Sequence, residues 1–131
     1  MNRNILLLGG AGFIGSHMCD SLITNNNILC IDNLSLGNKK NIEHLTQNKN
    51  FKFLKLDILD TSFENEIKNY KIDLVIHLAA NSDIAISHND PNVDVLNTLN
   101  TTIKVLEFMR IKNIKEIIFA SSSAIYGEHS C

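Results

Sequence analysis

Residues 4–17 read Asn4-Ile5-Leu6-Leu7-Leu8-Gly9-Gly10-Ala11-Gly12-Phe13-Ile14-Gly15-Ser16-His17, and the unit they open closes on Cys30-Ile31-Asp32-Asn33. The apolar run 5–8 has strand length and no alternation, as expected of a parallel strand buried on both faces. Glycines follow at once. Gly9, Gly12 and Gly15 stand three apart, while Gly10, Gly12 and Gly15 also spell Gly-x-Gly-x-x-Gly, so two registers of a phosphate-binding turn overlap. One glycine of such a turn makes the bend, one lets backbone approach a pyrophosphate, and one lets helix pack on strand. A helix starting near Gly12 aims its free N–H groups and positive dipole end at that phosphate. Phe13, Ile14, Met18, Leu22 and Ile23 mark its sheet-facing stripe, Asn25-Asn26-Asn27 its end, and 28–31 a second strand. Asp32 closes this strand, placed to accept hydrogen bonds from ribose hydroxyls and to repel a 2′-phosphate.

Working outward, Asn33 to Lys40 form a polar loop over the adenosine end, with a short helix at 41–48 turning Ile42 and Leu45 inward. Residues 51–56 read as a third strand running into Asp57 and Ile58, where an adenine could be gripped; equally, Asp57 or Asp60 could cap a helix at 61–69. A fourth strand at 72–78 ends in Ala79-Ala80-Asn81-Ser82, small residues across the switch point from the glycine turn. His77, inside that strand, reads as a core residue before a catalytic base. His88-Asn89-Asp90-Pro91 reads as a turn leading into a long helix at 92–112, with Val93, Leu96, Leu99, Ile103, Leu106 and Met109 inward and Asn97 and Asn100 partly buried beside them. A fifth strand at 117–120 delivers Ser121-Ser122-Ser123 to the same edge. The fold class expected is α/β, a doubly wound parallel sheet of about five strands in the order 3-2-1-4-5 with helices on both faces, incomplete at its C-terminus.

The chain of 131 residues fits one domain, 1–131. Its net charge of −2, with acids and bases interspersed, supplies no basic face for nucleic acid. No apolar stretch approaches the ~18 residues of a membrane span. The N-terminus leads straight into the first strand, which leaves no signal peptide and points to the cytoplasm. Cys19, Cys30 and Cys131 have no metal-ligand spacing, so no metal is expected and they read as reduced thiols.

Taken together, Gly9 to His17, Asp32-Asn33-Leu34-Ser35, Leu56-Asp57-Ile58, His77-Leu78-Ala79-Ala80, Asn97 and Ser121 to Gly127 resemble the extended short-chain dehydrogenases/reductases. The closer resemblance is to their sugar-nucleotide epimerase/dehydratase group, the UDP-glucose 4-epimerases above all. It implies tightly bound NAD, a nucleotide-sugar substrate, most simply a UDP-sugar, oxidised and re-reduced at C4, and a homodimer of the complete enzyme through two helices per subunit, the 92–112 helix among them. The residue reading and the resemblance together give the cofactor-binding set Gly9, Gly12, Phe13, Ile14, Gly15, Asp32, Asn33, Ser35, Gly37, Asp57, Ile58, Leu78, Ala79, Ala80, Ser82, Asn97 and Ser121. The resemblance implies Ser122 as the residue that orients the substrate hydroxyl, with Ser123 second. Relatives supply the base from a Tyr-x-x-x-Lys pair. Here Leu74 stands four residues after Tyr70 and Ser130 four after Tyr126, so the pair is absent. Ser82 stands where the 4-epimerases carry a lysine. The 131 residues therefore read as the inactive NAD-binding part of such an enzyme, with exposed apolar sheet edge and helix faces. A stand-alone regulatory dinucleotide module and a truncated gene product are the other readings.

Overall fold

The computed structural model describes residues 2–127, and of Ser123 and Ala124 the backbone alone. Five apolar runs become five parallel strands: β1 (Asn4–Leu8), β2 (Asn27–Asp32), β3 (Phe51–Lys55), β4 (Leu74–His77) and β5 (Ile117–Phe119). Their order is β3-β2-β1-β4-β5, as the sequence predicts. Leu8 pairs with Ile31 on one side and with His77 on the other. The carboxyl ends of the three central strands therefore finish level, and the loops leaving them share one edge.

Alternate residues of the strands divide the core between the two faces. Ile5, Leu7 and Cys30 pack beneath Cys19 and Ile23, which belong to or follow α1 (Phe13–Leu22), and beneath Ile42 and Leu45 of the 3₁₀ helix Lys39–Leu45. Leu6, Leu8, Leu29 and Ile31 pack on the other face against Phe63 and Ile67 of α2 (Phe63–Ile67) and against Val105, Phe108 and Met109. The second layer is completed by α3 (Ile84–Asn89), α4 (Asn92–Asp94), a π-helical stretch Val95–Asn100 and α5 (Thr101–Lys112). Asn113 ends α5 in the left-handed conformation, φ +56°, while the basic residues Arg110 and Lys112 face the negative end of its dipole.

Four local expectations need correction. Phe13 and Ile14 are 80% and 63% exposed; Gly15, Ser16 and Cys19 face the sheet instead, because the helix starts at the glycine turn and its first turn overhangs the sheet's open end. Residues 88–90 are not a turn before a helix: His88 and Asn89 end α3, which the Asp83 carboxylate caps by accepting from Ala85 N at 3.0 Å and Ile86 N at 3.2 Å. Neither Asp57 nor Asp60 caps α2, whose first residue follows Ser62 without a side-chain bond. Finally, α5 turns Thr101, Val105, Phe108 and Met109 inward, whereas Leu99, Ile103 and Leu106 are 54%, 55% and 49% exposed. Leu96 and Asn97 are exposed as well and Asn100 is only half-buried. That helix is apolar on two faces, and periodicity cannot say which one meets the sheet.

Candidate functional site

Three of the four glycines of the first loop have a steric cause. Gly9 sits at φ +83° and donates its N–H to Ile31 O at 2.8 Å; a Cβ there would lie 2.8 Å from Ala79 N. A Cβ on Gly10 would strike Cys30 Sγ, and one on Gly15 would strike the Gly9 carbonyl. Gly12 differs. A Cβ there would meet nothing nearer than Gly9 O at 3.4 Å, so no neighbour among the described residues demands that residue's smallness. Gly12 is also the extended N-cap of α1 and makes no side-chain cap bond. The first N–H groups of α1 are thus left for a ligand or solvent at the positive end of the helix.

Across the loop, the nearly buried Asp32 is fixed from two sides. Its Oδ2 accepts from Ala11 N at 2.9 Å and its Oδ1 from Leu34 N at 2.8 Å. Leu34 adopts φ +64° to deliver that N–H, a conformation that costs a branched residue roughly 1–3 kcal/mol. Gly37 is small for the same carboxylate, since a Cβ would lie 2.8 Å from Asp32 Oδ1. Each carboxylate oxygen keeps acceptor capacity beyond these bonds. Asn33 donates through Nδ2 to Asp57 Oδ2 at 2.8 Å and accepts from Ser35 N at 2.9 Å, so the ends of β2 and β3 form one polar rim.

These elements enclose a cavity of about 530 Å³ at the carboxyl edge of the sheet. Gly9, Gly12 and Phe13 form one wall, Asp32, Asn33, Ser35 and Gly37 the next, and Asp57 with the buried Ile58 a third. Leu78, Ala79, Ala80, Ser82 and Asn97 close the far side. Asn97, expected in the cofactor set and partly buried beside the inward stripe, lines this cavity but is exposed. Of the expected cofactor set, Ile14, Gly15 and Ser121 are not among its lining residues: Gly15 is buried against the glycine turn, and Ile14 and Ser121 are exposed. Ser122 is likewise exposed and not among the lining residues, and the side chain of Ser123, like Cys131, lies outside the described residues. Sequence reasoning missed Ile31, Leu36, Leu56, Asn81, Ile86, Val93 and Thr101 as lining residues. Leu36 and Asn81 sat in loops already singled out, and Ile31 and Leu56 adjoin the expected Asp32 and Asp57; Ile86, Val93 and Thr101 needed the course of 84–101, which no motif marks. A smaller cavity of about 150 Å³ lies at the opposite, amino-terminal edge.

His77 does not reach the cavity. It is 1% exposed, with Nε2 at 3.1 Å from Thr102 Oγ1. Thr102 donates its own proton to Thr98 O at 2.7 Å, which assigns the imidazole proton to Nε2. Nδ1 has no hydrogen-bond partner among the described residues, and burial pushes the imidazole pKa below its ordinary value. The sequence reading of His77 as a core residue fits this placement. Cys19 and Cys30 are buried free thiols; a hydrogen bond to Cys19, then burial, raise the Cys30 pKa. Among the described residues no group of three His, Cys, Asp or Glu could hold a metal ion, and no helix is long and apolar enough to cross a membrane.

Residues 5–130 match the NAD dependent epimerase/dehydratase family. The chain belongs to that family. Within the family it is 43% identical over 126 residues to a Methanocaldococcus jannaschii protein provisionally named UDP-glucose 4-epimerase, a match covering 95% of this chain and 40% of that one. Its backbone superposes on the UDP-N-acetylglucosamine 4-epimerase of Methanobrevibacter ruminantium, solved with UDP-N-acetylmuramic acid, with TM-score 0.88 and 37% identity over 98% of this chain and 40% of that one. The Brucella ovis UDP-glucose 4-epimerase, solved with NAD, gives TM-score 0.85 and 33% identity over 98% of this chain and 38% of that one. The chain therefore spans about two fifths of the length of these three relatives.

Proposed function

We propose that the chain binds NAD as the N-terminal, cofactor-holding part of a cytoplasmic UDP-sugar 4-epimerase. The observation that carries this is Gly12: its missing side chain answers to no neighbour among the described residues but opens onto the cavity at an uncapped helix N-terminus. Gly12 and the first turn of α1, Phe13 and Ile14 included, would take the pyrophosphate, with Gly9 and Gly15 shaping the turn. The fixed Asp32 carboxylate would take the adenosine ribose hydroxyls, with Asn33, Ser35 and Gly37 around them. A 2′-phosphate would meet that carboxylate at close range, so NAD is selected over NADP. Asp57 and Ile58 would hold the adenine. Leu78, Ala79, Ala80, Ser82, Asn97 and Ser121 would surround the nicotinamide end.

NAD held by these residues would supply the hydride acceptor and donor for oxidation and re-reduction at the sugar C4. The chain's own part is to hold that ring against the sugar and, through Ser122, with Ser123 as second candidate, to orient the reacting hydroxyl. Nothing in these 131 residues provides the tyrosine base with its lysine neighbour. Catalysis therefore needs residues beyond this segment, and the segment alone binds without turning over. The exposed stripe Leu99, Ile103 and Leu106 supports a homodimer of the complete enzyme built on this helix face.

Titration of the chain with NADH and NADPH, read by nicotinamide fluorescence, tests the reading. NADH is expected to bind at least tenfold tighter than NADPH, and Asp32→Ala to shrink that ratio. Equal affinity for both cofactors in the unmodified chain would overturn it.

A further inference from the structure

Asn81 carries more bonds than any other side chain around the cavity, and nothing above assigns it a role. Its Nδ2 donates to Ser87 Oγ at 2.7 Å and to Asp94 Oδ1 at 3.0 Å, with Asp83 O a further acceptor at 3.2 Å. Its Oδ1 accepts from Asp83 N at 3.2 Å, and its main-chain N–H donates to Thr98 Oγ1 at 3.1 Å. One residue after β4 is thereby joined to α3, to α4 and to the π-helical stretch. That stretch is held by hydroxyls in turn: Thr101 Oγ1 donates to Asn97 O at 2.9 Å and to Thr98 O at 3.0 Å. π turns are rare, appear mostly as single turns within α-helices, and fall frequently at functional sites.

We propose that Asn81 is a positioning residue: by locking the loop after β4 to Asp94 and Thr98, it sets where Ser82 and Asn97 stand on the far wall of the cavity. This rests on reading the cavity as a dinucleotide site. The chemistry requires an amide. Asn81 must give protons to a carboxylate and a hydroxyl while accepting one from a backbone N–H, which neither a carboxylate nor an aliphatic group of that length does. An aspartate there would face Asp94 at hydrogen-bond distance, two like charges with no proton between them.

The pair can be reversed. In an Asn81→Asp/Asp94→Asn double variant, the amide at 94 donates to the carboxylate at 81, and the Ser87 hydroxyl rotates to donate as well. The test compares the unmodified chain, Asn81→Asp and the double variant for affinity toward NADH and toward ADP-ribose, which lacks the nicotinamide, together with amide exchange across 95–102. Asn81→Asp is expected to weaken NADH binding at least tenfold, to leave ADP-ribose within threefold and to speed exchange at 95–102. The double variant is expected to recover NADH binding to within threefold. Equal loss of both ligands, or a double variant no better than Asn81→Asp, would overturn the proposal. If the unmodified chain binds neither ligand, the dinucleotide reading fails by itself, and unchanged exchange in Asn81→Asp would then refute the lock separately.

Discussion

At the scale of single residues, the glycine loop separates what folds the chain from what the chain binds. Gly15 is packed against Gly9 and Gly10, so Gly15→Ala forces an overlap with backbone that cannot move aside, an overpacking of about 1–3 kcal/mol. Gly12→Val meets no such wall. It is expected to leave the thermal midpoint within a few degrees while abolishing NADH binding, and calorimetry beside fluorescence titration separates the two outcomes; a Gly12→Val chain that binds normally would remove the pyrophosphate from this loop. Spacing alone left Gly9 and Gly10 competing for the first place in the motif, because it reports neither φ nor contacts. His77 makes a second case. Its folded pKa is depressed by burial, so the unfolded chain binds its proton more readily. The stability due to neutral His77 is complete above the unfolded value of about 6.5 and is lost as pH falls from there through the folded value. In His77→Leu the Thr102 hydroxyl still donates to Thr98 O, and the stability curve should flatten in that window. Asp73, held below its ordinary value first by the Asn4 backbone N–H, acts only at more acid pH, below about 3.9.

At the scale of elements, strands were more legible than helices. An unbroken apolar run such as Leu6-Leu7-Leu8 has one reading, burial on both faces, and parallel pairing on both sides bears it out. The helical stretch 92–112 has two. Its apolar residues form a stripe through Val105, Phe108 and Met109 and another through Leu99, Ile103 and Leu106, and the sequence pattern fits either as the inward one. The choice is made by the sheet, whose Leu6, Leu8, Leu29, Ile31 and Val75 share one buried cluster with the first. Truncating a core residue there, Phe108→Ala, should cost about 3–5 kcal/mol in denaturant unfolding. Ile103→Glu should leave the isolated chain as stable as before. In the complete protein it should convert a dimer into a monomer, as sedimentation would report, and a dimer that survives it uses another face. The π turn was illegible for a different reason: it is tied to the loop after β4 by the Asn81 N–H donating to Thr98 Oγ1, a relation between residues 17 apart.

At the scale of the whole molecule, the sheet order was readable because Gly9, Asp32 and Ala79 each follow an apolar run and must meet at one edge to form a site. What surrounds that sheet was readable only as an absence of partners. The outer strand β5 leaves Ile118 and Phe119 about half exposed, 50% and 51%, and Ile125 and Tyr126 follow it, exposed. An unprotected strand edge flanked by apolar side chains is a template for pairing with another chain. The 131-residue chain by itself should therefore self-associate in a concentration-dependent way through β5. An inward or edge charge is the usual protection against such pairing. Ile118→Lys is expected to suppress light scattering by the chain while leaving NADH affinity within twofold, because that residue lies outside the cavity. Scattering unchanged by the lysine would shift the association to the Leu99, Ile103 and Leu106 face, where Ile103→Glu would suppress it instead. The two substitutions together thus assign each exposed apolar surface to its own contact.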